Sequence, residues 1–491
     1  MSARSFLLHL SPQRMLVAIM NERIRFGVSC EITRHRYSLP VGLLLCCAST
    51  SASASGFALL EQSASRLGTA FAGTTAAADD ASTIFYNPAG LSKLTDMQVL
   101  VVASGVNISS EFNNQSSLAA LGQPLGGEGG DAGDLHGIPA AYFALPLSDR
   151  FAFGFGFNAP FGLALKYENG WMGRFQSLDN EIRTYNFNPS LSWRVSRQLS
   201  FGIGANYQRI LAELTNSVNY TAVVAQGLQT LVAAGELPAT SVPTILAANG
   251  NLEGYTAVRG DDSAWGWNAG VLFEFSDDTR VGLSYRSTVD YTLEGAVRFA
   301  APTATSPIGA GIIATTSAPG ATLATGPASV DLKLPDIATA SFYHRMGKVE
   351  LMADIAWTGW SSIQELRILR DTGQVLSVTP EHWEDTWRYA IGATYQLNDQ
   401  WKLRGGVAFD ETNVPDSTRT ARLPDSERTW VAIGAQWNPG ASWVVDVGYA
   451  HLFADDVPLN QDDGNALARG FLIGEQKSSV DIVSAQLAYK F

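Results

Sequence analysis

The last eight residues, Ser484-Ala485-Gln486-Leu487-Ala488-Tyr489-Lys490-Phe491, decide the fold. Odd positions from Ala485 to Phe491 are apolar, whereas the even positions are mostly polar. Because successive side chains of a strand point to opposite faces of a sheet, this pattern predicts a strand with one apolar and one polar face. A final strand of this kind that ends in an aromatic residue is typical of barrels in bacterial outer membranes.

The same period of two recurs along most of the chain and predicts an all-β protein, a 14-stranded antiparallel transmembrane β-barrel. The candidate strands are residues 97–107, 138–147, 151–165, 181–195, 199–215, 263–276, 280–295, 332–345, 348–361, 386–397, 401–412, 427–437, 442–455 and 478–491. Tight links alternate with long ones, as the short periplasmic turns and long extracellular loops of outer-membrane barrels do. The long loops are residues 216–262 and 296–331, and the barrel as a whole covers residues 97–491.

Composition limits the choice of membrane architecture and of partner. Of the 491 residues, 46% are hydrophobic and 16% are charged, and no apolar run approaches the roughly 18 residues that a spanning helix needs. Residues 1–54 contain six of the 33 basic residues and two of the 46 acidic ones, so the remainder has 27 basic and 44 acidic side chains, about −17 in net charge. That balance predicts no nucleic-acid partner.

The first 54 residues are predicted to be a signal peptide. Arg34-His35-Arg36 forms a basic region, Leu39–Cys47 an apolar one, and Ala52-Ser53-Ala54 a small-residue cleavage site. The stretch before Arg34 is long for a signal peptide, which leaves Met20 open as the true start, and a single membrane anchor is the alternative. All three cysteines precede residue 48, so the mature chain would have no disulfide.

Two further segments differ from the alternating strands. Residues 55–96 are rich in Ala, Gly, Ser and Thr and show no alternation, which favours an N-terminal hatch (plug) inside the lumen over a disordered tail. The loops 216–262 and 296–331 are unusually apolar for segments in water, and exposed apolar patches usually mark binding sites. The alternative is that the two loops pack on each other as a lid, and the two interpretations are compatible.

Several motifs, taken in order, resemble those of the FadL-type outer-membrane transporters of long-chain fatty acids and other hydrophobic compounds. They are Ser55–Glu61, Leu67–Gly73, Ala78–Ala81, Asn87–Ala89, Asn158–Leu163, Trp265–Gly270, Leu283–Ser287, Trp357–Ser361 and Leu423–Arg428. The resemblance implies a barrel with an internal hatch, in which Asn87, Pro88 and Ala89 form the hatch motif; an ordinary turn is the alternative for Asn-Pro. Phe57 and Leu59, at the inserted N-terminus, are then expected to line a ligand pocket.

In the same family the third strand has a kink that opens a gap in the wall, and the residues here support that independently. Pro160 has no N–H to complete a ladder bond, and Gly162 gives the backbone freedom to bulge. We therefore predict that Phe157, Asn158, Pro160 and Gly162 shape a lateral opening. The alternative places Pro160 at the loop end of the strand, where pairing has already ended.

The resemblance, together with these features, implies passive outer-membrane uptake of long-chain fatty acids or similar molecules. Burying one methylene gains about 0.8 kcal/mol, so a chain of about sixteen carbons would gain roughly 12 kcal/mol and should leave sideways into the membrane rather than into water. The basic residue of the fatty-acid members falls at Leu214 here, and Arg209, on the opposite strand face, is the candidate head-group contact. Uptake of aromatic hydrocarbons such as toluene or xylene, which need no cation, is the alternative.

Other classes of protein fit the sequence less well. A lipase-like barrel enzyme needs a nucleophile and a base on neighbouring strands, but the four histidines after residue 54 are scattered and no G-x-S-x-G motif is present. We therefore predict no catalytic residues, no metal site and no cofactor; a water-filled porin, the third class, would lack the plug. The expected partners are outer-membrane lipid and lipopolysaccharide, and the barrel assembly machinery through Phe491. The protein is expected to be a monomer.

Overall fold

The structure is a computed structural model that describes residues 56–440, 442–462 and 464–491, so the predicted signal segment lies outside the described residues. Its strands are β1 (Gln98–Asn114), β2 (Leu135–Pro146), β3 (Phe151–Asn158), β4 (Gly162–Lys166), β5 (Asp179–Arg194), β6 (Leu199–Asn219), β7 (Glu253–Ser276), β8 (Thr279–Arg286), β9 (Val289–Ala300), β10 (Gly326–Leu334), β11 (Ile337–Met346), β12 (Val349–Thr358), β13 (Glu365–Arg370), β14 (Val375–Pro380), β15 (Thr386–Gln396), β16 (Trp401–Asp410), β17 (Arg428–Trp437), β18 (Trp443–Ala454), β19 (Val457–Gln461) and β20 (Leu472–Lys490). The helices are α1 (Ala64–Leu67), α2 (Thr83–Tyr86), α3 (Tyr220–Ala233), α4 (Val242–Ala248), α5 (Pro307–Ser317) and α6 (Ala466–Arg469), and Pro88–Lys93, Ala239–Ser241 and Trp360–Ser362 form 3-10 helices.

The strands form one antiparallel sheet that closes on itself, because β1 pairs with β20 from Gln98↔Lys490 to Asn114↔Gly474. Six wall strands are broken into two pieces, namely β3 with β4, β8 with β9, β10 with β11, β12 with β13, β14 with β15, and β18 with β19. Counted as wall strands they number fourteen, which confirms the predicted 14-stranded barrel. No helix of the described residues is long and apolar enough to cross a bilayer.

The predicted alternation places apolar side chains outside and polar or small ones inside. In β20, Leu487 is 44% exposed on the outer face, whereas Ser484 is 1% exposed toward the lumen. Trp401 and Trp437, beside a short turn, stack on the outer face with ring centroids 6.1 Å apart. The outer face therefore has the apolar surface and aromatic rim that a lipid bilayer solvates.

The structure differs from the prediction mainly at the long-loop end. β6 and β7 extend to Asn219 and from Glu253, deep into the segment predicted as loop 216–262, and β9 and β10 shorten loop 296–331 in the same way. The remaining loop segments contain the helices α3, α4 and α5, joined by turns and short irregular stretches. Beyond the bilayer both faces of a strand meet polar surroundings, so the alternation that reveals a strand in the sequence disappears there.

Candidate functional site

The N-terminal segment (residues 56–96) is enclosed by the barrel and is hydrogen-bonded to its wall at widely separated strands. Asp354 of β12 accepts from the Thr74 N–H at 2.9 Å, and Gln486 of β20 accepts from the Ala64 N–H at 2.9 Å. On the lumen face of β8, a β-carbon at Gly282 would overlap the Thr75 carbonyl. The wall thus has a small residue where the N-terminal segment approaches it most closely. It has polar side chains where the N-terminal segment forms hydrogen bonds with it.

Within this segment, Asn87 has a central position. The Asn87 side chain donates to the carbonyl oxygens of Thr75 (2.7 Å) and Val271 (3.1 Å), and its Oδ1 accepts from the Ala89 N–H at 3.0 Å. Pro88 and Ala89 begin the 3-10 helix that follows. One buried amide therefore joins two parts of the N-terminal segment to β7 of the wall.

Replacing Asn87 by Leu is expected to loosen this connection and raise ion conductance through the lumen. The variant would lose these three side-chain hydrogen bonds, and each buried backbone group left unpaired costs about 1–3 kcal/mol. Single-channel recording in planar bilayers measures the change, with the exposed Asn460→Leu in β19 as the matched control. Equal conductance of the two variants would show that Asn87 does not hold the segment in place.

The wall is interrupted between β2 and the third wall strand. β2 pairs with β3 only from Ala141↔Phe157 to Pro146↔Ala152, and β4 pairs with β5 alone among the described strands. Further toward the long loops, the Lys166 N–H donates to the Ala132 carbonyl at 2.8 Å and joins the two sides again. We call the unpaired stretch, between residues 135–140 and 159–165, the wall gap.

Prolines occur on both sides of the wall gap. The bonds Ala132 N–H to Ser110 O and Ile108 N–H to Asp134 O show that even-numbered residues of β2 bond to β1. Odd-numbered residues, including Pro139, therefore direct their backbone groups toward the gap, where Pro139 has no N–H to offer. Pro160 was predicted from the sequence and Pro139 was not, although the unusual position of Pro139 within a strand was an available signal.

The N-terminal segment occupies part of the edge that β2 leaves unpaired. Leu59 N–H donates to the Pro160 carbonyl and Gly162 N–H to the Phe57 carbonyl, both at 2.8 Å. The buried Gln62 amide adds two bonds to the Ala159 backbone, donating to its carbonyl at 2.7 Å and accepting from its N–H at 3.3 Å. A short antiparallel pairing thus replaces the missing ladder on the β4 side of the gap.

Four aromatic side chains meet at this pairing and form what we call the aromatic cage: Phe57, Phe161, Trp360 and Trp383. The ring of Phe57 lies 5.1 Å from that of Trp360, 5.9 Å from that of Trp383 and 5.9 Å from that of Phe161. All four side chains are buried. Leu59, predicted beside Phe57, instead packs in a second apolar cluster with the rest of the N-terminal segment.

Sequence reasoning missed Trp360, Trp383 and Phe161, because they come from a loop, a connection and the strand break and no local pattern links them. The Trp383 indole donates to Glu381 at 3.1 Å. Burial raises the pKa of Glu381 to about 7, against the attraction of the Arg422 charge and the indole hydrogen bond, which lower it. The carboxyl of Glu381 therefore lies at the rim of the cage, bonded to one of its indoles.

Arg209, the predicted head-group contact, lies on the outer face of β6. Its Nη2 donates to Asp261 Oδ2 at 3.0 Å, and both side chains are about half exposed. It does not line the aromatic cage and offers no contact to a ligand held there. Phe157 also faces outward, where its ring lies 5.4 Å from that of Phe187, whereas Asn158 is buried toward the lumen.

The two apolar loop segments pack against each other above the barrel. Tyr220, Val224 and Leu228 of α3 form one buried cluster with Ile312 and Ile313 of α5. Ile308 remains 37% exposed on the same helix. The loops thus form a lid, the alternative considered from the sequence, while part of their apolar surface stays in contact with solvent. No cluster of His, Cys, Asp or Glu in the described part of the chain could hold a metal ion.

A comparison with protein families matches residues 45–491 to the outer membrane protein transport protein family (OMPP1/FadL/TodX). The chain belongs to this family. Among curated members, a long-chain fatty acid transport protein of Escherichia coli O6:H1 is 29% identical over 420 residues, which cover 85% of this chain and 91% of that protein. The protein is therefore an outer-membrane β-barrel of the FadL/TodX family.

Solved structures from the FadL/TodX family share the fold. A Pseudomonas aeruginosa FadL homologue superposes with a TM-score of 0.78 and 25% identity, covering 89% of this chain and 100% of that one. The P. putida toluene transporter TodX gives a TM-score of 0.59 at 17% identity, covering 84% and 94%. The barrel architecture is thus shared with a protein that is named as a toluene transporter.

Proposed function

We propose that this protein takes up long-chain fatty acids or similar hydrophobic molecules across the outer membrane, passively and down their gradient. The observation that carries the proposal is the wall gap, where β2 and β4 leave their edges unpaired and the N-terminal segment covers one of them. An opening of this kind in a closed barrel connects the lumen to the lipid, the phase in which an apolar cargo is most stable. The similarity to relatives that are named long-chain fatty acid transport proteins supports this choice of cargo.

In the proposed route, the apolar surface of α3 and α5 captures the cargo and passes it to the aromatic cage. The hatch, formed by residues 55–96 with Asn87, Pro88 and Ala89 at its centre, blocks the straight route through the lumen. A shift of its first residues, which lie against β4, would connect the cage to the wall gap. Phe157, Asn158, Pro160 and Gly162 would then line the exit.

Uptake of aromatic hydrocarbons is the second candidate, because the cage consists of four aromatic rings and Arg209 lies outside it. We propose no catalytic activity of the protein toward either class of cargo. The apolar outer face would contact outer-membrane lipid and lipopolysaccharide, and the exposed Phe491 would be read by the barrel assembly machinery. We propose a monomer, because the sheet closes through the pairing of β1 with β20 and the N-terminal segment partly covers the edges at the wall gap.

A growth experiment tests the proposal. The gene is deleted in its host, and oleate or toluene is supplied as the sole carbon source at low concentration. We expect growth on one of them to fail and to return when the gene is restored. Unaltered growth of the deletion strain on both compounds would overturn the transport function. The compound on which growth fails identifies the class of cargo.

A further inference from the structure

Three amide side chains line up across the lumen face of three strands, at the level where β3 ends. Register places Asn158 of β3 opposite Asn186 of β5, and Asn186 opposite Gln208 of β6. None of the three is more than 1% exposed. We call these residues the amide row.

Each member of the amide row has one polar atom without a hydrogen-bond partner among the described residues: Asn158 Nδ2, Asn186 Oδ1 and Gln208 Nε2. A buried polar group left unpaired costs about 1–3 kcal/mol, and most buried polar groups in proteins have a partner. Two unpaired N–H donors on the same lumen face, with one strand between them, therefore indicate a site for an oxygen-bearing group.

The network behind the row determines which atom of Asn158 is free. Arg286 of β8 can only donate, and its Nη1 bonds Asn206 Oδ1 at 2.8 Å. Asn206 Oδ1 also accepts from Asn186 Nδ2 at 3.0 Å, and the same Nδ2 donates to Asn158 Oδ1 at 3.0 Å. With its oxygen used in this way, Asn158 presents its N–H donors to the lumen.

Arg286 also supplies a charge that is not balanced locally. Its Nη2 donates to the Phe85 carbonyl at 2.9 Å, and its guanidinium lies 4.5 Å from the centroid of the Phe85 ring. Among the described residues it forms no ion pair, whereas buried Arg428 pairs with Asp425 at 2.9 Å. Buried charges are normally paired, so the amide row lies in front of an uncompensated positive charge.

The amide row lies between the apolar cluster that contains the aromatic cage and the border of the wall gap. Ile210, two residues beyond Gln208 on the same lumen face of β6, belongs to the apolar cluster that contains Phe57 and Phe161. Asn158 is the last residue of β3, and Ala159 and Pro160 next to it form one border of the wall gap. A molecule with its tail in the cage could therefore place its polar end on the row, beside the gap.

We propose that the amide row binds the carboxylate of a long-chain acid, with Asn158 Nδ2 and Gln208 Nε2 as donors and Arg286 as the positioning charge behind them. This inference rests on the proposed transport function and narrows its cargo to acids over hydrocarbons. It assigns the lumenal recognition of the head group to residues other than Arg209, which faces outward.

The test compares oleate with 1-octadecene, which has a similar tail and no head group. Each is titrated against a bound fluorescent polyene on the purified, detergent-solubilised barrel, for the native protein, Asn158→Leu and Gln208→Leu. We expect each variant to bind oleate about ten- to a hundredfold more weakly, the effect of losing a hydrogen bond to a charged group, and 1-octadecene within twofold of the native protein. Gln476→Leu is the matched control, since Gln476 is a buried lumen amide of β20 with an unpartnered oxygen.

The outcomes separate the two proposals. A native protein that binds neither compound would overturn the transport function. Native binding of oleate that both variants retain would overturn the amide row alone, because the unpaired donors would then serve only buried water. A third result is an equal loss of affinity for oleate and 1-octadecene in variants that remain folded, as judged by heat-modifiable migration on a gel. That result would assign the amide row a structural role and overturn its proposed binding of the carboxylate.

Discussion

Sealing the wall gap is expected to abolish uptake of oleate while leaving its binding to the purified protein within about twofold. The change keeps Phe161 and makes four substitutions, Pro139→Val, Ala159→Val, Pro160→Thr and Gly162→Thr. They supply the missing N–H groups and a regular strand pattern on both borders. Once β2 and the third wall strand can pair, a bound cargo has no path into the lipid. Asn158 and all four side chains of the aromatic cage are left in place.

The measurement is accumulation of labelled oleate by cells that contain the variant, beside its affinity in detergent. Pro189→Val in β5 is the matched control, because Pro189 lies in a wall strand that stays paired with β3 at Phe155. Loss of uptake and binding together would mean that the substituted residues shape the pocket and that the exit lies elsewhere. Undiminished uptake would remove the wall gap from the mechanism.

The transmembrane part of this barrel is readable from the sequence because the bilayer imposes the pattern. Between two aromatic rims each outward side chain must be apolar, and β20 shows this from Val483 to Leu487. Outside the rims that requirement ends. The outward positions of β6 and β7 then carry Glu213, Arg259 and Asp261, and their pairing extends where the sequence suggested a loop.

The candidate site was only partly predictable, for a related reason. Pro160 lacks a backbone N–H and Gly162 has a flexible backbone, so the local sequence is sufficient to predict a strand break there. The role of Pro139 depends on which neighbour its backbone faces, which follows from register with β1 and not from β2 alone. Trp360 and Trp383 reach Phe57 from more than 300 residues away in sequence, and only the closure of the barrel brings them together.

Phe57 holds a different kind of position from the wall residues, because it belongs to the N-terminal segment and yet its ring lies in contact range of the three other cage rings. Its backbone carbonyl is bonded to Gly162. The same residue therefore contributes to the cage and to the pairing beside the wall gap. Truncating its side chain changes the cage and leaves that backbone bond in place.

Phe57→Ala is expected to weaken binding of oleate by about 2 kcal/mol, roughly thirtyfold, because a central buried aromatic side chain is lost from the cage. Competition titration on the purified barrel measures the change, and Phe201→Ala, on the outer face of β6, is the matched control that should bind as the native protein does. Phe57→Leu, which keeps most of the apolar volume, should lie between the two. Tighter binding by Phe57→Ala would reverse the assignment, since the ring would then occupy the space that the cargo needs, and the cage would be closed until the N-terminal segment withdraws.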